Sequence, residues 1–227
     1  MQMMKVVSSV LFLFLMAGYA NANMFVDRSI VEFVAGQAPQ QDIRVSNRGN
    51  DQMYVQVEVL DVLQPGTEQE VREAVTNLAD MTLLATPKQF VLPPQGERAV
   101  RLVALAEPGD VDQVYRVNVT PILPPLADTE SSVVRVVVAY QLLVLVLPEN
   151  PREDLVVSRE GNTLKFENRG NSYVLLADGQ QCVAENCSNL PTTRLYAGNT
   201  WEVELENSDV EASYRLTTFA GSRTVTW

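Results

Sequence analysis

The chain has 227 residues, 46% of them apolar, with 11 glycines, 12 prolines, no histidine and a formal charge of −11. That composition fits one large or two small globular domains and excludes a disordered or fibrous protein. The acidic balance argues against nucleic acid or an anionic membrane as partner, and the lack of histidine excludes Ser-His-Asp, Cys-His and zinc hydrolase sites.

Lys5, the apolar run Val10 to Met16 and the Ala20-Asn21-Ala22 triplet match the three parts of a secretory signal peptide, cleaved after Ala22. No later apolar stretch is long enough to hold the mature chain in a membrane, so an exported, soluble protein is expected. Met24 to Phe33 reads as a first strand. Gln41 to Ser46 reads as a second, entering an N-R-G-N-D-Q turn. Met53 to Leu63 alternates, with Tyr54, Gln56, Glu58 and Leu60 on one face and Met53, Val55, Val57 and Val59 on the other, as in a half-buried antiparallel strand. After the turn at Gln64 to Glu70, the polar segment Glu68 to Asn77 suits a short helix or an irregular excursion. Short strands resume at Leu83, break at Pro93 to Gly96, and are followed by the alternating Gln113 to Ile122. About seven strands at this spacing predict a β-sandwich.

Ser131 to Pro148 is the most apolar stretch of the mature chain and is expected to form one long strand, since valine dominates its first half. Val133, Val137 and Ala139 share one face, and Val134, Val136 and Val138 the other. Both faces are apolar, yet no crossover helices are expected to cover a second face. One reading is a fully buried sandwich strand. The other is a strand lent to another protein, adding to a foreign sheet by main-chain hydrogen bonds while its side chains fill the partner's core. Left uncovered, such an edge would aggregate.

Pro148 to Asp154 resembles an interdomain hinge, and Leu155–Ser158, Thr163–Glu167, Ser172–Asp178, Thr200–Leu205, Ser213–Phe219 and Arg223–Trp227 predict a second, smaller β domain. Cys182 and Cys187 are expected to close a short loop as a disulfide in an oxidising compartment and so to staple that domain; a metal site, the rival reading, lacks a histidine to complete it. N-R-G-N occurs twice, after Ser46 and after Glu167, as two related sandwiches in tandem would have it. No P-loop or G-x-G-x-x-G occurs. No acidic cluster sits in an apolar context that would raise a carboxyl pKa, so no enzyme is expected.

T-P-K-Q-F-V-L-P-P-Q-G-E-R-A-V-R-L at Thr86 to Leu102, V-Y-R-V-N-V at Val114 to Val119 and the long strand ending at Pro148 together resemble the periplasmic pilus-assembly chaperones of the PapD-like superfamily. L-Q-P-G-T-E-Q-E, V-L-P-E-N and C-x-x-x-x-C followed by L-Y-A-G-N-T-W are most similar to the alternative chaperones of class 5 fimbriae. The resemblance implies an all-β chain of two tandem immunoglobulin-like sandwiches in a boomerang, with residues 1–22 as signal, 23–148 as the first domain and 149–227 as the second. It implies a long strand, called G1, donated to an incomplete pilin subunit in the periplasm and released at an outer-membrane usher, with no cofactor or metal, and a self-capping dimer as one resting form. Parity favours Val134, Val136 and Val138 as the donated face, with Val133 and Val137 in the chaperone's own core, unless a bulge reverses the pleat. Family members anchor the subunit's terminal carboxylate with a lysine and an arginine in the cleft. Here the lysine position falls on Gln141 and the arginine position at or near Ile30, with Arg28 two residues earlier on the same strand face as its substitute. A secreted Ig-like surface module or adhesive pilus component is the alternative, but the internal position of the best strand favours a donor.

Overall fold

The computed structural model describes residues 23–75, 77–122 and 137–227, so the expected signal segment and Val133, Val134 and Val136 lie outside the described residues. The first sandwich is built from β1 (Met24–Val26), β2 (Ile30–Phe33), β3 (Gln40–Asn47), β4 (Met53–Leu63), β5 (Val71–Ala74), β6 (Leu83–Thr86), β7 (Gln89–Leu92), β8 (Glu97–Ala104), β9 (Gln113–Ile122) and β10 (Tyr140–Val146). One sheet has the order β1-β3-β8-β6; the other runs β2-β10-β9-β4-β5, with β7 also paired to β4. No α-helix occurs among the described residues.

The expected first strand, Met24 to Phe33, is two strands in different sheets. Asp27 ends β1: its amide donates to the Arg44 carbonyl at 3.1 Å, and its Oδ1 accepts the Arg44 amide at 2.9 Å. Asp27 to Ser29 then carries the chain to the opposite sheet, where β2 lies parallel to β10 with Ile30 beside Leu143 and Phe33 beside Val146. The polar segment Glu68 to Asn77 supplies β5. Strand β4 outruns β7, which pairs only Met53 to Gln56, and β5 completes the backbone bonding of its far end from Leu60 to Leu63.

Of the stretch expected as one strand from Ser131 to Pro148, residues 131–136 lie outside the described residues, Tyr140–Val146 form a strand, and Val137 to Ala139 lie outside any strand. Within β10 the even residues Leu142, Val144 and Val146 enter the core of the first sandwich, beside Val31, Val55 and Val117. The odd residues Leu143 and Leu145, with Leu147, face the other way and join Val62, Val114, Tyr173 and Tyr196 in a second apolar cluster. The core side of this strand is therefore the even side. Val137, expected in the core, is instead 41% exposed and precedes the strand, where neither sandwich covers it.

The second sandwich packs β11 (Leu155–Glu160), β12 (Thr163–Asn168) and β16 (Thr200–Glu204) against a sheet of β13 (Val174–Val183), β14 (Asn186–Leu190), β15 (Thr193–Leu195), β17 (Ala212–Thr218) and β18 (Gly221–Thr226). Its centre is aromatic: Phe166 meets Trp201, Tyr214 and Trp227 at ring-centroid distances of 5.4, 5.7 and 5.2 Å. Cys182 and Cys187 are disulfide-bonded as expected; they sit directly opposite each other and close the short turn of the exposed β13-β14 hairpin.

The repeated N-R-G-N marks the same corner in both sandwiches, after β3 and after β12. Asn47 is buried; its Nδ2 donates to the carbonyls of Asp51 and Pro93 at 2.7 and 3.1 Å, and its Oδ1 accepts the Gly49 amide at 2.9 Å. Asn168 repeats the pattern with Ser172 and Leu195 at 2.9 and 3.0 Å and the Gly170 amide at 3.0 Å. An asparagine end carries donor and acceptor together, so one side chain satisfies three main-chain groups that the corner removes from water. We predict that Asn168→Ala, which strands all three, destabilises the second sandwich by about 2–4 kcal/mol. Both tryptophans lie there, so urea unfolding followed by tryptophan fluorescence measures it; an unchanged midpoint would mean that the corner adds no stability.

Candidate functional site

The amides of Leu143 and Leu147 donate to Ser29 and Phe33 carbonyls at 2.9 Å each, so odd residues of β10 turn their main-chain groups towards β2. Pairing with β2 begins only at Leu143, whereas pairing with β9 begins at Tyr140. The alternation places the Gln141 N–H and C=O on the β2 side, where no described strand pairs with them. Three and four residues before Gln141, Val138 and Val137 are 38% and 41% exposed, Val138 being the described member of the expected Val134, Val136 and Val138 face. Among the described residues, an unpaired edge at Gln141 is thus preceded by exposed apolar side chains.

Where this edge begins, the outward face of the sheet is polar. Gln141, Asn118 and Glu58 lie side by side on β10, β9 and β4, and Gln141 Nε2 donates to Asn118 Oδ1 at 2.9 Å. Arg72, on β5, donates through Nη1 to Gln141 Oε1 at 2.9 Å and through Nε to Glu70 Oε1 at 2.8 Å. Burial pushes the Glu70 carboxyl up, but the Gly66 amide, Arg72 and Arg116 together hold it below its ordinary range. Gln141 is therefore the acceptor that positions a guanidinium. Arg28 lies in the crossing between β1 and β2, outside any strand; it does not share a strand face with Ile30, and it is exposed and paired with Asp27 at 3.4 Å. Its expected place beside Ile30 required Met24 to Phe33 to be one pleat, and the crossing at Asp27 to Ser29 breaks that pleat.

Arg72 and Arg116 escaped the sequence analysis. Arg72 sits in a segment whose fold was open, and Arg116 is one of several polar residues on an alternating strand. The signal that could have found Arg116 is a charge at an outward position of β9 two residues from the apolar Val114, which faces the other sandwich. Among the described residues, the buried side-chain polar atoms without a hydrogen-bond partner are Arg116 Nε and Arg194 Nη1. Both arginines border Tyr196, whose hydroxyl is pushed up by burial against the pull of Arg194 and Arg116.

The two sandwiches meet at this end of the sheet. Asn199 Nδ2 donates to the Pro65 carbonyl at 2.8 Å, and Asn171 Nδ2 donates to the Asp110 carbonyl at 3.1 Å. Gly66 has φ +72°, and a Cβ there would stand 2.9 Å from the Tyr196 ring, so both the turn and the close approach require glycine. A second exposed feature lies at the far end of the outward face. Val91, Tyr54 and Ile122 are direct cross-strand neighbours on β7, β4 and β9 and are 41%, 49% and 42% exposed, forming a short apolar row.

Residues 24–152 match the family of pili and flagellar-assembly chaperones, PapD N-terminal domain. A CS1 fimbrial protein of Escherichia coli is 29% identical over 177 residues, which cover 75% of this chain and 73% of that protein. The class 5 fimbriae chaperone CfaA superposes with a TM-score of 0.66 at 20% identity, covering 90% of this chain and 98% of its own. A chain of the Salmonella enterica SafA pilin complex with the SafB chaperone does so with a TM-score of 0.66 at 18% identity, covering 92% and 98%. With an all-β fold of two tandem sandwiches and a family match over more than half its length, the chain belongs to the pilus-assembly chaperones.

Proposed function

We propose that this chaperone captures fimbrial subunits in the periplasm by lending them the strand that runs into β10, and delivers them to an outer-membrane usher. The observation that carries this reading is the open edge at Gln141 preceded by the exposed Val137 and Val138. A subunit strand added there would take up the unpaired main-chain groups, while Val134, Val136 and Val138, of the same parity as the core residues Leu142, Val144 and Val146, would extend that core into its apolar groove. Three valines moved from water contribute roughly 1.5–3 kcal/mol each, or about 5–9 kcal/mol, reduced by the cost of ordering both partners. The carboxylate anchor that the family resemblance implies falls, in our reading, to Arg72 and Arg116 beside Gln141, with Arg28 at the mouth of the same edge. The row Val91-Tyr54-Ile122, spread over three strands of the outward face, is our candidate for the usher contact.

Three outcomes test this. Val136→Asp is expected to leave folding unchanged and to abolish recovery of a one-to-one complex when chaperone and subunit are co-expressed in a periplasm; continued capture would remove that face from the mechanism. Arg72→Ala loses a partly exposed ion pair and should change stability by less than about 1 kcal/mol, while lowering subunit affinity in titration calorimetry. Tyr54→Glu should leave subunit capture intact and weaken binding of the loaded chaperone to usher; equal loss of both would mean that the substitution disturbs the sandwich itself.

A further inference from the structure

The contact between the two sandwiches is built around a carboxylate. Asp112, which leads into β9, accepts the Tyr173 amide at 2.5 Å through Oδ2 and the Ser172 hydroxyl at 2.9 Å through Oδ1, and its own amide donates to the Asn171 carbonyl at 3.2 Å. The Tyr173 hydroxyl donates to Glu32 of β2, so two carboxylates of the first sandwich grip one residue of the second. Arg194 of β15 lies 4.2 Å over the Tyr173 ring. The charged and titratable groups around Asp112 are Glu32, Arg194, Tyr173 and Tyr196.

Withdrawal of the contact from water and the neighbouring Glu32 favour the protonated form of Asp112, against Arg194 and the two hydrogen bonds that its carboxylate accepts. We propose that this contact is an acid-responsive clasp: protonation of Asp112 in the joined state tightens the hold of the first sandwich on the second as the periplasm acidifies. The clasp belongs to the joint between the sandwiches and does not depend on which subunit is captured. Burial pushes the Asp112 carboxyl up to about 6, with Glu32 adding to it and the Ser172 and Tyr173 bonds and Arg194 opposing it. If the clasp opens, Asp112 returns to water and to its ordinary value of 3.8. The joined state therefore binds the proton more tightly. Its stabilisation is complete below the ordinary value and is lost as pH rises through about 6, so between these limits closure gains up to about tenfold for each unit that the pH falls.

The test uses the full-length mature chaperone without a captured pilin. Carboxyl-carbon NMR should show one aspartate titrating near pH 6 that is absent in Asp112→Asn and moves to lower pH in Glu32→Gln. The protection factor of the Tyr173 amide, corrected for intrinsic exchange, should rise as pH falls from 7 to 5 in the parent and stay flat in Asp112→Asn. An Asp112 midpoint near 4 in the parent, or the same rise in Asp112→Asn, would overturn the clasp. Should that variant fail to fold, the parent's titration decides alone. Subunit capture is read separately, so a chaperone that captures normally with no titration near 6 loses the clasp and keeps its function.

Discussion

Everything in this chaperone hangs on a strand buried on both faces for half its length. Leu142, Val144 and Val146 pack into the first sandwich, while Leu143, Leu145 and Leu147 pack beneath Tyr173 and Tyr196 of the second. Each such side chain contributes roughly 1.5–3 kcal/mol on burial, an upper figure because the unfolded chain is itself partly collapsed. The same six residues therefore stabilise a core and hold two sandwiches together. Cover on the odd face ends at Leu143, where pairing with β2 also begins. Beyond that point Gln141 is solvated and Val137 and Val138 are exposed, so the strand passes from anchored to available within a few residues. Fixed register at the anchored end is what gives the leading part a defined direction.

Polar groups at the joint set orientation rather than adding much stability. Asp112, Glu32, Tyr173 and Arg194 are costly to withdraw from water, and replacing one partner alone would strand the others. What they add is geometry: each bond is satisfied in one relative placement of the sandwiches, whereas leucine on tyrosine tolerates sliding. Next to them, Arg72 reaches across from β5 to Gln141, so positive charge arrives at the cleft from a neighbouring strand instead of from β10. A position that looks neutral in the sequence thus sits beside a guanidinium in space.

The paired asparagine corners tie the two sandwiches to one plan. Asn47 and Asn168 end equivalent strands and make the same three main-chain bonds, while the interiors differ: aliphatic in the first, centred on Phe166, Trp201, Tyr214 and Trp227 in the second. The corner depends on local chemistry and persists; each core needs only matching volume and can vary.

Local pattern was enough to establish an all-β chain, the alternation of Met53 to Leu63 and Gln113 to Ile122, the twin corners, the cysteine pair and the apolar stretch that ends at Pro148. These depend on side-chain period and on turn chemistry within a few residues, and both are written in sequence order. Pairing over long distance was decided by the tertiary structure alone. It split Met24 to Phe33 between two sheets, which took Arg28 off the strand face assigned to it. It drew β5 from a polar segment, because the end of β4 needed a partner. It turned the odd side of β10 towards the second sandwich, making the even side the core. An apolar residue in sequence states only that it will be covered; which surface covers it depends on elements that arrive from elsewhere in the chain.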